Sequence, residues 1–115
     1  MFGASKRGHF GLKRRNEKTN KIVAYEIVWT PAAQEDYRQI IDYLLDKSND
    51  NVAERFTNVL FKDLTILESM PYIGRPHSKM SAVRELVTGS RYILFYTVLR
   101  QEIILLNIIN TSRAE

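Results

Sequence analysis

The stretch VRELVTGSRYILFY, residues 83 to 96, sets Arg84, Arg91, Tyr92 and Tyr96 among aliphatic residues, and Arg113 follows just beyond the last apolar run. These are side chains suited to metal-free phosphodiester chemistry. Cleaving RNA in that way needs a base for the 2′-hydroxyl, a cation for the developing phosphorane charge and an acid for the leaving oxygen. Spacing alone leaves a second reading open, because tyrosine favours strands and arginine often decorates strand edges.

Other chemistries have no foothold in the sequence. It holds no phosphate-cradling Gly-rich loop, no G-x-S-x-G elbow and no metal-ligand spacing. The absence of cysteine removes disulfides, thiolate metal sites and cysteine nucleophiles together. His9 and His77 are the only histidines, too few for a histidine-built zinc site, and His77 stands alone in a loop. Glu35, Asp36, Asp42 and Asp46 sit mostly opposite the apolar stripe of their segment, the pattern of a solvated helix face. No cofactor and no metal are expected.

The formal charge of +4 over 115 residues is unevenly distributed. Residues 1 to 24 carry seven Lys/Arg against Glu17, a balance of +6, whereas residues 25 to 115 carry ten against twelve Asp/Glu, a balance of −2. A domain that grips nucleic acid through its backbone normally has a positive excess, since affinity grows with the phosphates neutralised. Residues 1–23, rich in Gly, Ser, Asn and charge, read as a flexible basic arm unable to bury enough surface to order itself. Residues 24–115 read as one domain. No apolar run reaches the length of a membrane span, and a soluble cytoplasmic protein is expected.

The elements that must position the candidate residues follow from pattern. YEIVW, residues 25 to 29, alternates as a strand. Thr30 and Pro31 then open a helix, with Ala33, Tyr37, Ile40 and Leu44 on one face, which stops near KSNDN. A second helix from about Asn51 to Ser69 carries Val52, Phe56, Val59, Leu60, Leu64 and Leu67 as its stripe, and the short link implies an antiparallel hairpin. After a loop punctuated by Pro71, Gly74 and Pro76, three strands form a meander. The expected fold is α+β in the order β-α-α-β-β-β, with the helical hairpin on a mainly antiparallel four-stranded sheet. Along residues 91 to 98, Ile93 and Phe95 point one way and Tyr92, Leu94, Tyr96 and Val98 the other. The strands are more apolar than a half-solvated sheet requires, so the second face is either shielded by loops or docks another chain.

Taken in order, YEIVWTPAAQEDYRQIIDYL, LESMPYIGRP, VREL, YILFYTV and a final aliphatic strand ending INTSR resemble the ParE/RelE superfamily of toxins from bacterial type II toxin–antitoxin modules, over residues 24 to 113. The resemblance implies the same fold and a co-expressed antitoxin that wraps the toxin. RelE-like members are ribosome-dependent mRNA endonucleases, and ParE-like members inhibit DNA gyrase. The nuclease strand usually reads Tyr-Arg-aliphatic-x-Tyr, but here the second position is Ile93. Asn110 stands where many members have a histidine three residues before the retained Arg113, and Leu86 fills one cationic position while Arg84 matches another.

GRP followed by VREL is typical of ParE-like sequences, so the resemblance implies a gyrase inhibitor that acts by binding and causes growth arrest, of the kind found in plasmid-stabilisation modules. Arg75, Arg84, Tyr92, Tyr96 and Arg113 are the implied contacts to target or antitoxin. For Arg75 and Arg84 the alternative is a structural arginine paired with a carboxylate or a carbonyl. Two other functions stand beside this one. One is a metal-independent endoribonuclease on the ribosome, using Arg84, Arg91, Tyr92 and Arg113 on mRNA, and the other is a non-toxic scaffold that only binds a partner.

Overall fold

The computed structural model describes residues 24–111. The arm expected over residues 1–23, and Arg113, lie outside the described residues.

Strand β1 spans Glu26–Trp29, and Thr30 follows in extended conformation with φ −75° and ψ 161°. Its Oγ1 accepts from Ala33 N at 3.1 Å and donates to Leu105 O at 2.7 Å. One hydroxyl thus caps helix α1 (Pro31–Lys47) and ties its start to the sheet. Helix α2 (Asp50–Ser69) begins from Asn49, whose Oδ1 accepts from Val52 N at 3.0 Å. Only Ser48 and Asn49 separate the two helices, and they form the expected hairpin.

Among the described residues five strands build the sheet, one more than expected. They are β1, β2 (Arg75–Pro76), β3 (Val83–Thr88), β4 (Tyr92–Leu99) and β5 (Glu102–Asn110), in spatial order β1-β5-β4-β3-β2. The additional strand, β2, is a two-residue edge inside the Pro/Gly loop, pairing Arg75 with Glu85 and Pro76 with Arg84. Local sequence gives no sign of it because the pairing is tertiary, and proline suits an edge where its missing N–H is not needed. Strand β1 runs parallel to β5, with Glu26 beside Glu102, and the other pairs are antiparallel. Gly89, at φ +68°, turns the chain between β3 and β4, a left-handed conformation for which glycine has no steric penalty.

Both helical stripes meet one sheet face. Leu60, Leu64 and Leu67 of α2 and Ala33 and Leu44 of α1 are buried against Leu94, Tyr96, Ile103 and Leu105. Each fully buried leucine or isoleucine contributes about 1.5–3 kcal/mol through removal from water. Phe56 and Tyr92, with ring centroids 4.7 Å apart, join α2 to β4. A bulge shifts the β4–β5 register. Phe95 faces Asn107 and Tyr96 faces Leu105, so Leu106 is the extra residue and Ile108 returns to the core.

Asp36 secures this irregularity. Its Oδ2 accepts from Ile108 N at 2.9 Å and from Asn107 Nδ2 at 3.1 Å. The sequence pattern groups Asp36 with the solvated carboxylates of α1, and the structure corrects that reading: the bulge brings a β5 N–H within its reach. Glu35 and Asp42 do lie on the solvated side, both paired with Arg38, an exposed arrangement of small energetic weight. No helix among the described residues is long and apolar enough to cross a membrane.

Candidate functional site

The candidate residues divide between two ends of the sheet. At one end, Arg84 pairs in register with Tyr96, and Arg75 sits across from Glu85 on the edge. At the other end, Arg91 is exposed in the β3–β4 turn beside Tyr92, which pairs with Thr88 and Asn110. The two groups lie four positions apart along β4, roughly 13 Å. Arg84, Arg91 and Tyr92 are therefore not drawn together around one phosphate-sized point.

At the first end, a buried clamp shapes the loop. Tyr96 is 0% exposed, and its hydroxyl donates to Pro71 O at 2.8 Å while accepting from Gly74 N at 2.9 Å. Burial raises the pKa of this phenol above its ordinary value, with the Gly74 N–H bond and the Arg84 charge pulling partly the other way. Arg84 Nη1 donates to Gly74 O at 2.6 Å and to Tyr72 O at 3.3 Å, and its guanidinium lies 5.0 Å from the centroid of the Tyr72 ring. A Cβ on Gly74 would lie 2.7 Å from both Glu85 O and the Tyr96 hydroxyl, so only glycine fits there. Arg84 thus has the carbonyl contacts of a structural arginine. Arg75 has a long ion pair with Glu85 at 3.5 Å, and its side chain is 79% exposed.

Tyr72 and Ile73, carried by the clamped turn, are 58% and 45% exposed. Alternation in the strands gives no hint of them, since they lie in a loop. Gly74 between two prolines is the sequence signal that the turn is tight.

At the second end, Asp36, Gln39, Ile40, Tyr43, Tyr92, Ile108 and Asn110 line a shallow cleft of about 130 Å³ between α1 and the end of β4 and β5. Tyr92 is buried, facing the helices. Thr111 N donates to Arg91 O at 2.7 Å, which holds the end of the described chain against the β3–β4 turn.

The face of the sheet away from the helices carries one apolar row across three strands. Ile109, Ile93 and Val87 form one row, and Asn107, Phe95, Glu85 and Arg75 the next. Val87 is 61% exposed and Ile109 39%. His77 borders this face, its ring centroid 5.9 Å from Phe95 and its Nε2 3.9 Å from Glu85 Oε2. Its Nδ1 accepts from the backbone N–H groups of Lys79 and Met80, which gives it a part in shaping the loop. Ile93 occupies the centre of this face, between Val87 and Ile109. Among the described residues no group of three or more His, Cys, Asp or Glu is placed to hold a metal ion.

Residues 27–115 match the family model described as the ParE toxin of the type II toxin–antitoxin system parDE. Among solved structures, the chromosomal ParDE toxin–antitoxin system from P. aeruginosa superposes with a TM-score of 0.65 at 20% identity, over 76% of this chain and 96% of that one. The RelBE2 toxin–antitoxin complex from Mycobacterium tuberculosis gives 0.54 at 17% identity, over 76% and 99%. A conserved hypothetical protein from Helicobacter pylori gives 0.52 at 22% identity, over 76% and 96%. At these identities the likeness is one of fold. No curated protein matches the sequence.

Proposed function

The chain belongs to the ParE toxin family of type II toxin–antitoxin systems, and from that premise we propose that it arrests growth by binding DNA gyrase, and that its antitoxin silences it by covering the open sheet face. The observation that carries this reading is the disposition of Arg84. One of the cations the sequence offers for phosphoryl chemistry is bonded to two backbone carbonyls, with Tyr96 buried beside it and Ile93 apolar on the open face. Those bonds hold the Arg84 Nη1 against the Tyr72–Gly74 loop rather than over the open face beside Ile93, whereas phosphoryl catalysis depends above all on a cation aimed at the developing charge. Binding asks less of these residues than cleavage does. The net charge of −2 over residues 25–115 is likewise suited to a protein target better than to extended contact with RNA.

The chemistry of the open face supports the antitoxin's place. An apolar row crossing Ile109, Ile93 and Val87, rimmed by Glu85, Arg75 and Asn107, offers what an amphipathic partner segment needs. Inducing residues 1–115 in a bacterial host that carries a DNA-damage reporter tests the reading. Growth arrest with the reporter switched on is expected, because blocked gyrase leaves damaged DNA. Arrest with rapid loss of translated mRNA and a silent reporter would refute it.

A further inference from the structure

We propose that Tyr72 and Ile73 form a preorganised knob by which the toxin engages its target, and that the target surface is an apolar pocket with carboxylates at its rim. The inference rests on the gyrase reading only for the identity of that target.

The turn that carries the knob is held from several sides. Ile73 N donates to Met70 O, Tyr96 donates to Pro71 O, and Arg84 donates to Tyr72 O and Gly74 O. Gly74 N is bonded to the Tyr96 hydroxyl in turn. The carbonyls of Met70, Pro71, Tyr72 and Gly74 are therefore all engaged from within, so the segment is poorly suited to adding to a partner as a strand. Its side chains are what it presents. Tyr72 at 58% and Ile73 at 45% exposure stand out from a backbone that cannot relax around them.

Folding has already fixed this geometry, so association loses little further entropy in ordering it, a condition under which a few aromatic and aliphatic anchors dominate binding. A convex knob needs a concave complement, and a pocket is a feature of folded proteins. A linear antitoxin segment laid along the sheet supplies none. Arg75 follows directly after Gly74, held only by its long 3.5 Å pair with Glu85 and largely in solvent, so an acidic group at the pocket's edge complements it.

The test titrates purified gyrase holoenzyme with the full chain and reads the concentration that halves supercoiling. Tyr72→Ala and Ile73→Ser are expected to raise that concentration at least ten-fold with thermal midpoints lowered by no more than about 8 °C, the Tyr72 change losing the contact of its ring with Arg84, while Arg100→Asn stays within about two-fold, consistent with the weight of anchor residues elsewhere. Inhibition by the wild type and equal inhibition by Tyr72→Ala and Ile73→Ser would overturn the knob and leave the gyrase reading intact. Absence of inhibition by the wild type would overturn the gyrase reading itself, and the proposed target with it.

Discussion

Replacing Tyr96 with phenylalanine removes one oxygen from a site that has no water access and leaves two backbone groups behind. Gly74 N–H loses its acceptor at 2.9 Å and Pro71 C=O its donor at 2.8 Å, both beside a ring that is fully buried. An unpaired buried polar group costs about 1–3 kcal/mol. Part of that is offset because the phenol's own desolvation disappears, so a net loss of about 2–3 kcal/mol is expected. For a domain of this size that lowers the thermal midpoint by roughly 10–20 °C. Urea denaturation of both proteins measures the difference directly. Arg84→Ala loosens the same turn from the other side, and the two changes should be non-additive by at least about 0.5 kcal/mol in a double-mutant cycle. There is also a pH signature. Because burial raises the folded-state pKa of Tyr96, the folded protein holds its proton above pH about 10 where the unfolded chain releases it. Stability is complete below that pH and falls as pH rises past it toward the folded value, and Tyr96→Phe should flatten this limb. A Tyr96→Phe protein within about 0.5 kcal/mol of wild type would refute the clamp.

Other substitutions test neighbouring contacts. Gly74→Ala forces a Cβ to 2.7 Å from Glu85 O, and calorimetry should show a loss of about 1–3 kcal/mol, in the range for overpacking. Asp36→Ala strips the Ile108 N–H of its charged acceptor; a loss of about 1.5–3 kcal/mol is expected by urea denaturation, with Asp36→Asn recovering part of it. Arg100 holds φ +58° without being glycine, so Arg100→Asn should stabilise by about 0.5–1 kcal/mol in the same measurement.

The elements and their order were legible because each has a local cause. Thr30-Pro31 marks a helix start by its own chemistry, and the apolar stripe from Val52 to Leu67 has a helical period whatever surrounds it. Alternation separated Ile93 and Phe95 from Tyr92, Leu94 and Tyr96, but parity alone does not say which set meets the helices. That is why Tyr96 reads in sequence as a contact residue and proves to be the buried brace of a loop. The β2 edge, the Leu106 bulge and the grip of Asp36 on β5 join residues 8 to 72 positions apart, and no local pattern encodes such pairings. Asn49 illustrates a smaller miss of the same kind. Within KSNDN it reads as one of several turn residues, whereas its side chain caps α2 and moves the helix start to Asp50.

Whether this toxin acts on gyrase by binding is tested most directly by adding the purified full chain to gyrase with relaxed plasmid, and in parallel to translating ribosomes with a defined mRNA. Action by binding predicts that supercoiling falls to a plateau as toxin approaches the gyrase concentration, while the mRNA stays whole. Cleavage of the mRNA, abolished by Arg91→Ala or Arg113→Ala, with supercoiling untouched, would contradict it.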